Sequence, residues 1–504
     1  MTFSVTTKAW AARPRRWLRI GAMASALSAT LVPTLASSFE PEPQAPATKA
    51  QAKTRAFAKN KANAAADAKA EGDDGALARE LFSALRELNE AVRADARGAE
   101  NPAETRPAPR PARVVSSPTL TSAELDRLVD AFLQETKAPP ATTTHDVEFI
   151  RRVFLDVTGK LPTPDQTRSF VANREKDKRG KLIEYLLNSP DYASNWARYW
   201  RDVIAYRATN PQFARLGFSD LEEWLEEQFA RNRPWDEIAT DLITASGRQD
   251  ENGAVVFSLA HEAQPAEVAG EVSRVFLGVQ ISCAQCHDHP TDSWKREQFH
   301  GFASFFAGSR SRRATPPGNG PPVFQVVHQG RPRYTMPDLK DPQKSIPVAP
   351  RFFLGAEVPT LSANLSAEER HAIAASYVTG QDNPWFAKAF VNRIWYTLTG
   401  DAFHTPVDDL GPEREAKAPA VLEALASQWQ RGGYDVKWLF RTILNSKAYQ
   451  RQTRSTMSAS GRTPMAANCP STLRSDQIFD ALAQALNLPM DGQGPLAGRV
   501  GAIA

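Results

Sequence analysis

The chain has 504 residues, enough for two or three domains whose cores need no covalent staples. Lys and Arg total 61 against 57 Asp and Glu, and a net charge of +4 is too even for a dedicated nucleic-acid binder. Only 3 cysteines exclude a disulfide framework, while 42% hydrophobic residues and 11 Trp exclude collagen-like and wholly disordered chains.

Residues 1–38 read as a secretory signal peptide. Arg13, Arg15, Arg16 and Arg19 precede an uncharged run from Ile20 to Ala36, and Leu35-Ala36-Ser37-Ser38 supplies small residues for cleavage. The run is short and rich in Ala and Ser, so no stable membrane span is expected after its removal. Arg15-Arg16 fits a twin-arginine signal only loosely, and the expected location is the periplasm or cell envelope. Residues 39–120 read as a flexible arm rich in Ala, Pro and Lys, with too little apolar surface to order itself. One amphipathic helix is expected within it at 76–96, where Leu77, Leu81, Leu85, Leu88 and Val92 share a face. That stripe must bury against the main body or against a second copy, which makes self-association through 76–96 an expectation.

The first folded region is expected over 121–308. Thr121 and Glu124 form a capping box ahead of Leu125, Leu128, Val129, Phe132 and Leu133. Thr163-Pro164-Asp165-Gln166 is a second helix start, with Pro at the first helical position. Helices follow at 180–188, 191–206, 219–231, 235–245, 264–278 and 295–307. Trp196 with Trp200, and Leu221 with Leu225, lie one turn apart and read as core. Residues 309–359 are a Pro- and Gly-rich connection holding one small β-hairpin, Val323–His328 followed by Arg333–Thr335 after a Gly-Arg-Pro turn. Helices resume at 366–379, 383–399, 418–431, 434–446 and 475–486 in a second helical region, 360–490, with a tail at 491–504. The fold class is therefore mainly α, two helical lobes joined by a Pro-rich connection with a small β-hairpin.

The chemistry concentrates at Cys283-Ala284-Gln285-Cys286-His287, a C-x-x-C-H motif followed by Asp288-His289-Pro290. Two thiols three residues apart suit the two vinyl groups of haem c, and the adjacent His287 suits the iron as axial ligand. A non-haem metal such as zinc or iron is the alternative, with Cys283, Cys286, His287, His289 and His300 as donors; His289 enters only in that reading. A redox or structural use of the thiols is the third, and it leaves His287 without a role. Phe299, Phe302, Phe305 and Phe306 stand at helical spacing, as either a haem wall or ordinary core. Met336, His261, His300 and His328 compete equally for a sixth ligand position. Asp408, Asp409 and Asp435 are loop carboxylates better explained by turns and caps than by catalysis, and Arg310, Arg312 and Arg313 read as a solvated loop.

Longer blocks carry a resemblance. Arg151-Arg-Val-Phe-Leu-Asp-Val-Thr-Gly-Lys-Leu-Pro-Thr-Pro164, Leu187-Asn-Ser-Pro-Asp-Tyr192, Trp196-Ala-Arg-Tyr-Trp200, Ser273-Arg-Val-Phe-Leu-Gly-Val279 and the C-x-x-C-H block resemble the planctomycete cytochrome-type family, domain of unknown function 1549. Asp382-Asn-Pro-Trp-Phe386, Phe390-Val-Asn-Arg-Ile-Trp395, Pro406-Val-Asp-Asp-Leu410, Gly433-Tyr-Asp435 and Leu439-Phe-Arg-Thr-Ile-Leu-Asn-Ser446 resemble its usual partner, domain of unknown function 1553, expected here in truncated form. The resemblance implies exported proteins without a demonstrated activity. Its larger members carry a separate N-terminal cytochrome c domain, and this chain has the Ala/Lys/Pro-rich arm in that place. The expected function is an exported c-type haem protein passing single electrons to an unknown redox or envelope protein partner. Alternatives are a non-haem metalloprotein, with hydrolysis as its reaction, and an envelope scaffold; no nucleic acid is expected as partner.

Overall fold

The computed structural model describes residues 116–486 apart from 210, 316–322, 342, 355–360, 363 and 455–464. All described residues fall within one compact unit. The expected signal peptide, arm, helix at 76–96 and tail at 491–504 lie outside the described residues, except for the arm's last few positions.

The first helices are α1 (Ser122–Glu135), α2 (Asp146–Thr158), α3 (Pro164–Ala172), α4 (Lys178–Leu187), α5 (Pro190–Ala205), α6 (Pro211–Ala230) and α7 (Trp235–Thr244). Both expected capping boxes form. The Thr121 hydroxyl accepts from the Glu124 amide at 3.2 Å while Glu124 accepts the Thr121 amide at 2.7 Å, and Thr163 with Gln166 does the same ahead of Pro164. Helix α2 has no cap side chain and ends at Gly159, whose φ of +70° is the left-handed stop that glycine adopts without strain. Helix α2 is not among the helices expected from sequence, although Phe149, Ile150, Val153, Phe154 and Val157 recur at helical spacing and are buried along one face.

After strand β1 (Gly247–Arg248) and the single turn α8 (Val256–Leu259), the helix expected over 264–278 divides. It is α9 (Pro265–Val272) continued by a π turn over Ser273–Leu277 and stopped by Gly278 at φ +64°. Helix α10 (Arg296–Ala303) follows the C-x-x-C-H segment and ends in a 3-10 turn at Ser304–Phe306.

The connection holds more β structure than one hairpin. Strands β2 (Ser309–Ala314) and β3 (Val323–His328) pair antiparallel, Ser309 opposite His328, and β1 lies on the other side of β3 with Gly247 opposite Val326. Strands β4 (Tyr334–Pro337) and β5 (Ser345–Val348) form a separate antiparallel pair. The expected pairing of 323–328 with 333–335 is thus replaced by two pairings. The true partner of β3 is the Arg- and Ser-rich run 309–314, read as a solvated loop because an exposed edge strand carries no apolar alternation.

Helices α11 (Ala367–Thr379), α12 (Pro384–Thr399), α13 (Pro419–Arg431), α14 (Val436–Leu444), α15 (Lys447–Gln450) and α16 (Ser475–Ala485) complete the fold. Helices from both halves share one core. Trp200 of α5 stacks on Phe390 of α12 with ring centroids 5.5 Å apart, Phe390 stacks on Trp429 of α13 at 4.4 Å, and Trp235 of α7 lies 4.2 Å from Trp200. Rings of this size each bury about 150–250 Å², worth roughly 4–6 kcal/mol at 25 cal/mol per Å², so this aromatic column is a large stabilising feature. Trp196, Trp200, Leu221 and Leu225 are all buried, as their spacing implied.

Candidate functional site

The C-x-x-C-H motif begins in a short 3-10 turn, Ile281–Gln285. In that geometry residues three apart eclipse one another. Ile281 and Ala284 fall on the buried side, and Cys283 and Cys286 fall together on the exposed side as free thiols. The turn is pinned from behind: the Gln285 carbonyl oxygen lies 3.0 Å from His300 Nε2, and the other His300 ring nitrogen is 2.9 Å from the Tyr334 hydroxyl.

His287 is exposed, with Nδ1 2.6 Å from the Asp288 carbonyl oxygen. A proton on Nδ1 donated to that carbonyl leaves Nε2 with the lone pair, the arrangement in which imidazole ligates a metal. The Asp288 carboxylate accepts from Lys295 Nζ at 2.9 Å and from the Arg296 amide at 3.1 Å. These contacts hold its pKa below the usual carboxylate range, with the Lys295 hydrogen bond the larger cause. The His289 amide donates to the Trp294 carbonyl at 2.8 Å and closes the loop; His289 Nδ1 accepts the Thr291 amide at 3.3 Å.

Among the described residues no three of His, Cys, Asp and Glu converge in a group that could hold a metal ion. His300 is turned to Gln285 and Tyr334, so the five donors of the non-haem reading do not meet. Of the remaining axial candidates, Met336 lies buried in β4, where its sulfur accepts from Arg296 at 3.5 Å. His328 Nδ1 is 2.9 Å from Ser309 Oγ, which also lies 3.0 Å from His371 Nε2. His261 is 1% exposed and neither ring nitrogen has a hydrogen-bond partner among the described residues. Phe299, Phe302, Phe305 and Phe306 are fully buried; Phe302 packs edge-on against Phe352 and Phe353, so these rings are core.

What sequence reasoning missed lies just upstream. Arg274, on the π turn, is 2% exposed and pairs with the equally buried Glu271, its Nε 2.9 Å from Oε2. It also donates from Nη1 to Asp408 Oδ2 at 3.0 Å, and Asp408 accepts in turn from Arg393 of α12. Asp408 is therefore a structural counter-charge, and Asp435 is a cap, accepting the Trp438 amide at 3.0 Å at the start of α14. A buried Arg is betrayed in sequence only by an acidic neighbour one turn away, here Glu271, and that signal is common.

The segment 278–294 is braced by the 408–414 loop and by Trp385 of α12. The Leu410 amide donates to the Gly278 carbonyl at 2.7 Å, Arg414 reaches Thr291 Oγ1 at 3.4 Å, and the Trp294 and Trp385 rings meet edge-on with centroids 6.2 Å apart. This contact joins two regions that match known family models. Residues 124–311 match PSCyt2, described as a protein of unknown function (DUF1549), and 369–495 match PSD1, described as a protein of unknown function (DUF1553). No curated protein and no solved structure matches the chain. Both matches are present in that order, so residues 124–311 are similar to the PSCyt2 family (DUF1549) and residues 369–495 to the PSD1 family (DUF1553), with the motif-bearing segment of the first held by a loop of the second.

Proposed function

We propose that the protein is an envelope c-type haem protein serving one-electron transfer, with Cys283 and Cys286 as the thioether anchors and His287 as an axial ligand. One observation carries this reading: a 3-10 turn sets both free thiols on its solvent side, and the next residue is an exposed imidazole tied through Nδ1. The PSCyt2 name agrees with it without testing it.

The donor set fits haem c. Thiols need to be unbridged and accessible to add across vinyl groups, and Cys283 and Cys286 are exposed and in no disulfide. The axial imidazole needs a second contact to fix its tautomer, which the Asp288 carbonyl supplies at 2.6 Å. When bound, the group supplies one-electron exchange. The chain's own residues hold the motif steady: His300 fixes the turn at Gln285, and Lys295 with the Arg296 amide fixes Asp288 on the far side of His287. Location in the periplasm or envelope, and an unidentified redox partner there, belong to the same proposal. Among the described residues no helix is long and apolar enough to cross a membrane.

The test is visible absorption of protein made in a host with cytochrome-maturation machinery. The reading requires a Soret band and a pyridine haemochrome that survives acid-acetone extraction, both lost in C283S/C286S. A colourless wild type contradicts it. His287→Ala is expected to change the spectrum while the thioethers persist.

A further inference from the structure

Where α11 ends and α12 begins, the described residues line a cavity of about 420 Å³, within the range for sites that take small molecules. Its walls include Phe352, Tyr377 and Trp385, and Asp382 is the one charged side chain among the described residues lining it.

The rings are held in place from behind. Phe352 and Tyr377 lie parallel with centroids 5.2 Å apart, and Phe302 and Phe305 meet them edge-on from the core. The buried Asn383 ties the end of α11 to the start of α12. Its Nδ2 donates to the Tyr377 and Val378 carbonyls at 3.1 and 2.9 Å, and its Oδ1 accepts the Trp385 amide at 3.1 Å. Tyr377 and Trp385 each keep part of their surface exposed, so a ligand can reach both.

Three features set the sign of the charge this cavity accepts. Aromatic faces are negative, and a cation is drawn to them. Asp382 is exposed and makes no hydrogen bond or ion pair among the described residues. Ser376, Tyr377 and Gly380 bring the C-terminal end of α11 into the wall, and no basic side chain in its last turn offsets the helix dipole.

The kind of cation follows from the acceptors. A primary ammonium is strongly hydrated and brings three N–H donors that each need a partner. The Tyr377 and Val378 carbonyls are already taken by Asn383. A fully methylated nitrogen has no N–H to satisfy, and aromatic rings bind its charge while packing against its methyl groups.

We infer that this cavity binds a small quaternary ammonium compound, its methyl groups against Tyr377 and Trp385 and its charge beside Asp382. The site goes beyond the haem reading and uses none of Cys283, Cys286 or His287.

Calorimetric titration of the full chain with choline tests it, beside the uncharged tert-butyl analogue of choline and the unmethylated analogue ethanolamine. Saturable one-to-one binding of choline is expected, at least about tenfold tighter than either control and weakened about tenfold in D382N, Y377L and W385L. Thermal melts check the ring variants, and D382N, which alters an exposed side chain, keeps the test open if either of them unfolds. No saturable binding of choline, a control that binds as tightly, or choline binding unchanged in D382N and the folded ring variants overturns the inference. Choline binding is expected unchanged in C283S/C286S. A colourless protein that binds choline contradicts only the haem reading, and a haem-loaded one that does not bind it contradicts only this one.

Discussion

Arg274 donates from Nη1 to Asp408 Oδ2 across 3.0 Å, joining the π turn of the PSCyt2 region to the loop before Leu410 in the PSD1 region. Arg393 approaches the same carboxylate from α12, and Glu271 completes the cluster. Four charged groups in this setting are held by mutual neutralisation, so removing one leaves another buried and uncompensated.

Asp408→Ala should therefore destabilise the protein strongly, by about 3–5 kcal/mol as for other broken buried pairs. The neighbouring Asp409→Ala, which releases the more accessible Arg414, should cost no more than about 1 kcal/mol. Urea denaturation of both variants reads the difference from their midpoints at constant slope. Equal midpoints for the two would show that Asp408 is not the counter-charge described.

Gly278 is a second point where the regions touch. Its φ is +64°, and a Cβ there would meet Leu410 Cδ1 at 2.8 Å and Ala389 Cβ at 3.2 Å. Gly278→Ala should cost about 1–2 kcal/mol for the left-handed backbone alone, and more for the collision. Gly330, also left-handed at φ +65° but open to space, supplies the control: Gly330→Ala should show the backbone cost only. Thermal unfolding of the pair checks this, and a larger loss at Gly330 would contradict the packing.

A pH dependence follows from Asp156 on α2. It accepts from the Tyr449 hydroxyl at 2.7 Å, and burial pushes its pKa up to about 7 despite that bond and nearby Arg152. An unfolded aspartate titrates near 3.9, so across roughly pH 4 to 7 the folded chain binds a proton that the unfolded chain has released. Stability from this group is present below the window and is lost as pH rises through it. Asp156→Asn keeps an acceptor for Tyr449 and removes the titration. The stability of wild type relative to D156N should fall between pH 4 and pH 8, measured by urea unfolding; a flat difference would show that Asp156 is not titrating in that window.

How much of this was legible beforehand depends on what each residue type reveals locally. The caps at Thr121 and Thr163 were readable because side chain and amide lie three positions apart, and the helices they start are present. The tryptophans at 196 and 200 were readable as core from their spacing alone. Strand β2 was not, because Arg310, Arg312 and Arg313 face solvent and only its long-range pairing with β3 makes it a strand. Met336 looked like a loop residue and lies buried in β4 for the same reason. Cys283, Cys286 and His287 were legible as chemistry, while the solvent side that the two thiols share required the 3-10 turn. The Arg274 cluster was invisible, since Asp408 lies 134 residues further along the chain.

The central claim concerns Cys283, Cys286 and His287, and intact-mass measurement of the chain from a cytochrome-maturing host tests it most directly. The account predicts the processed polypeptide plus one haem, with that increment absent from C283S/C286S. A wild type at the bare mass of its polypeptide would contradict it.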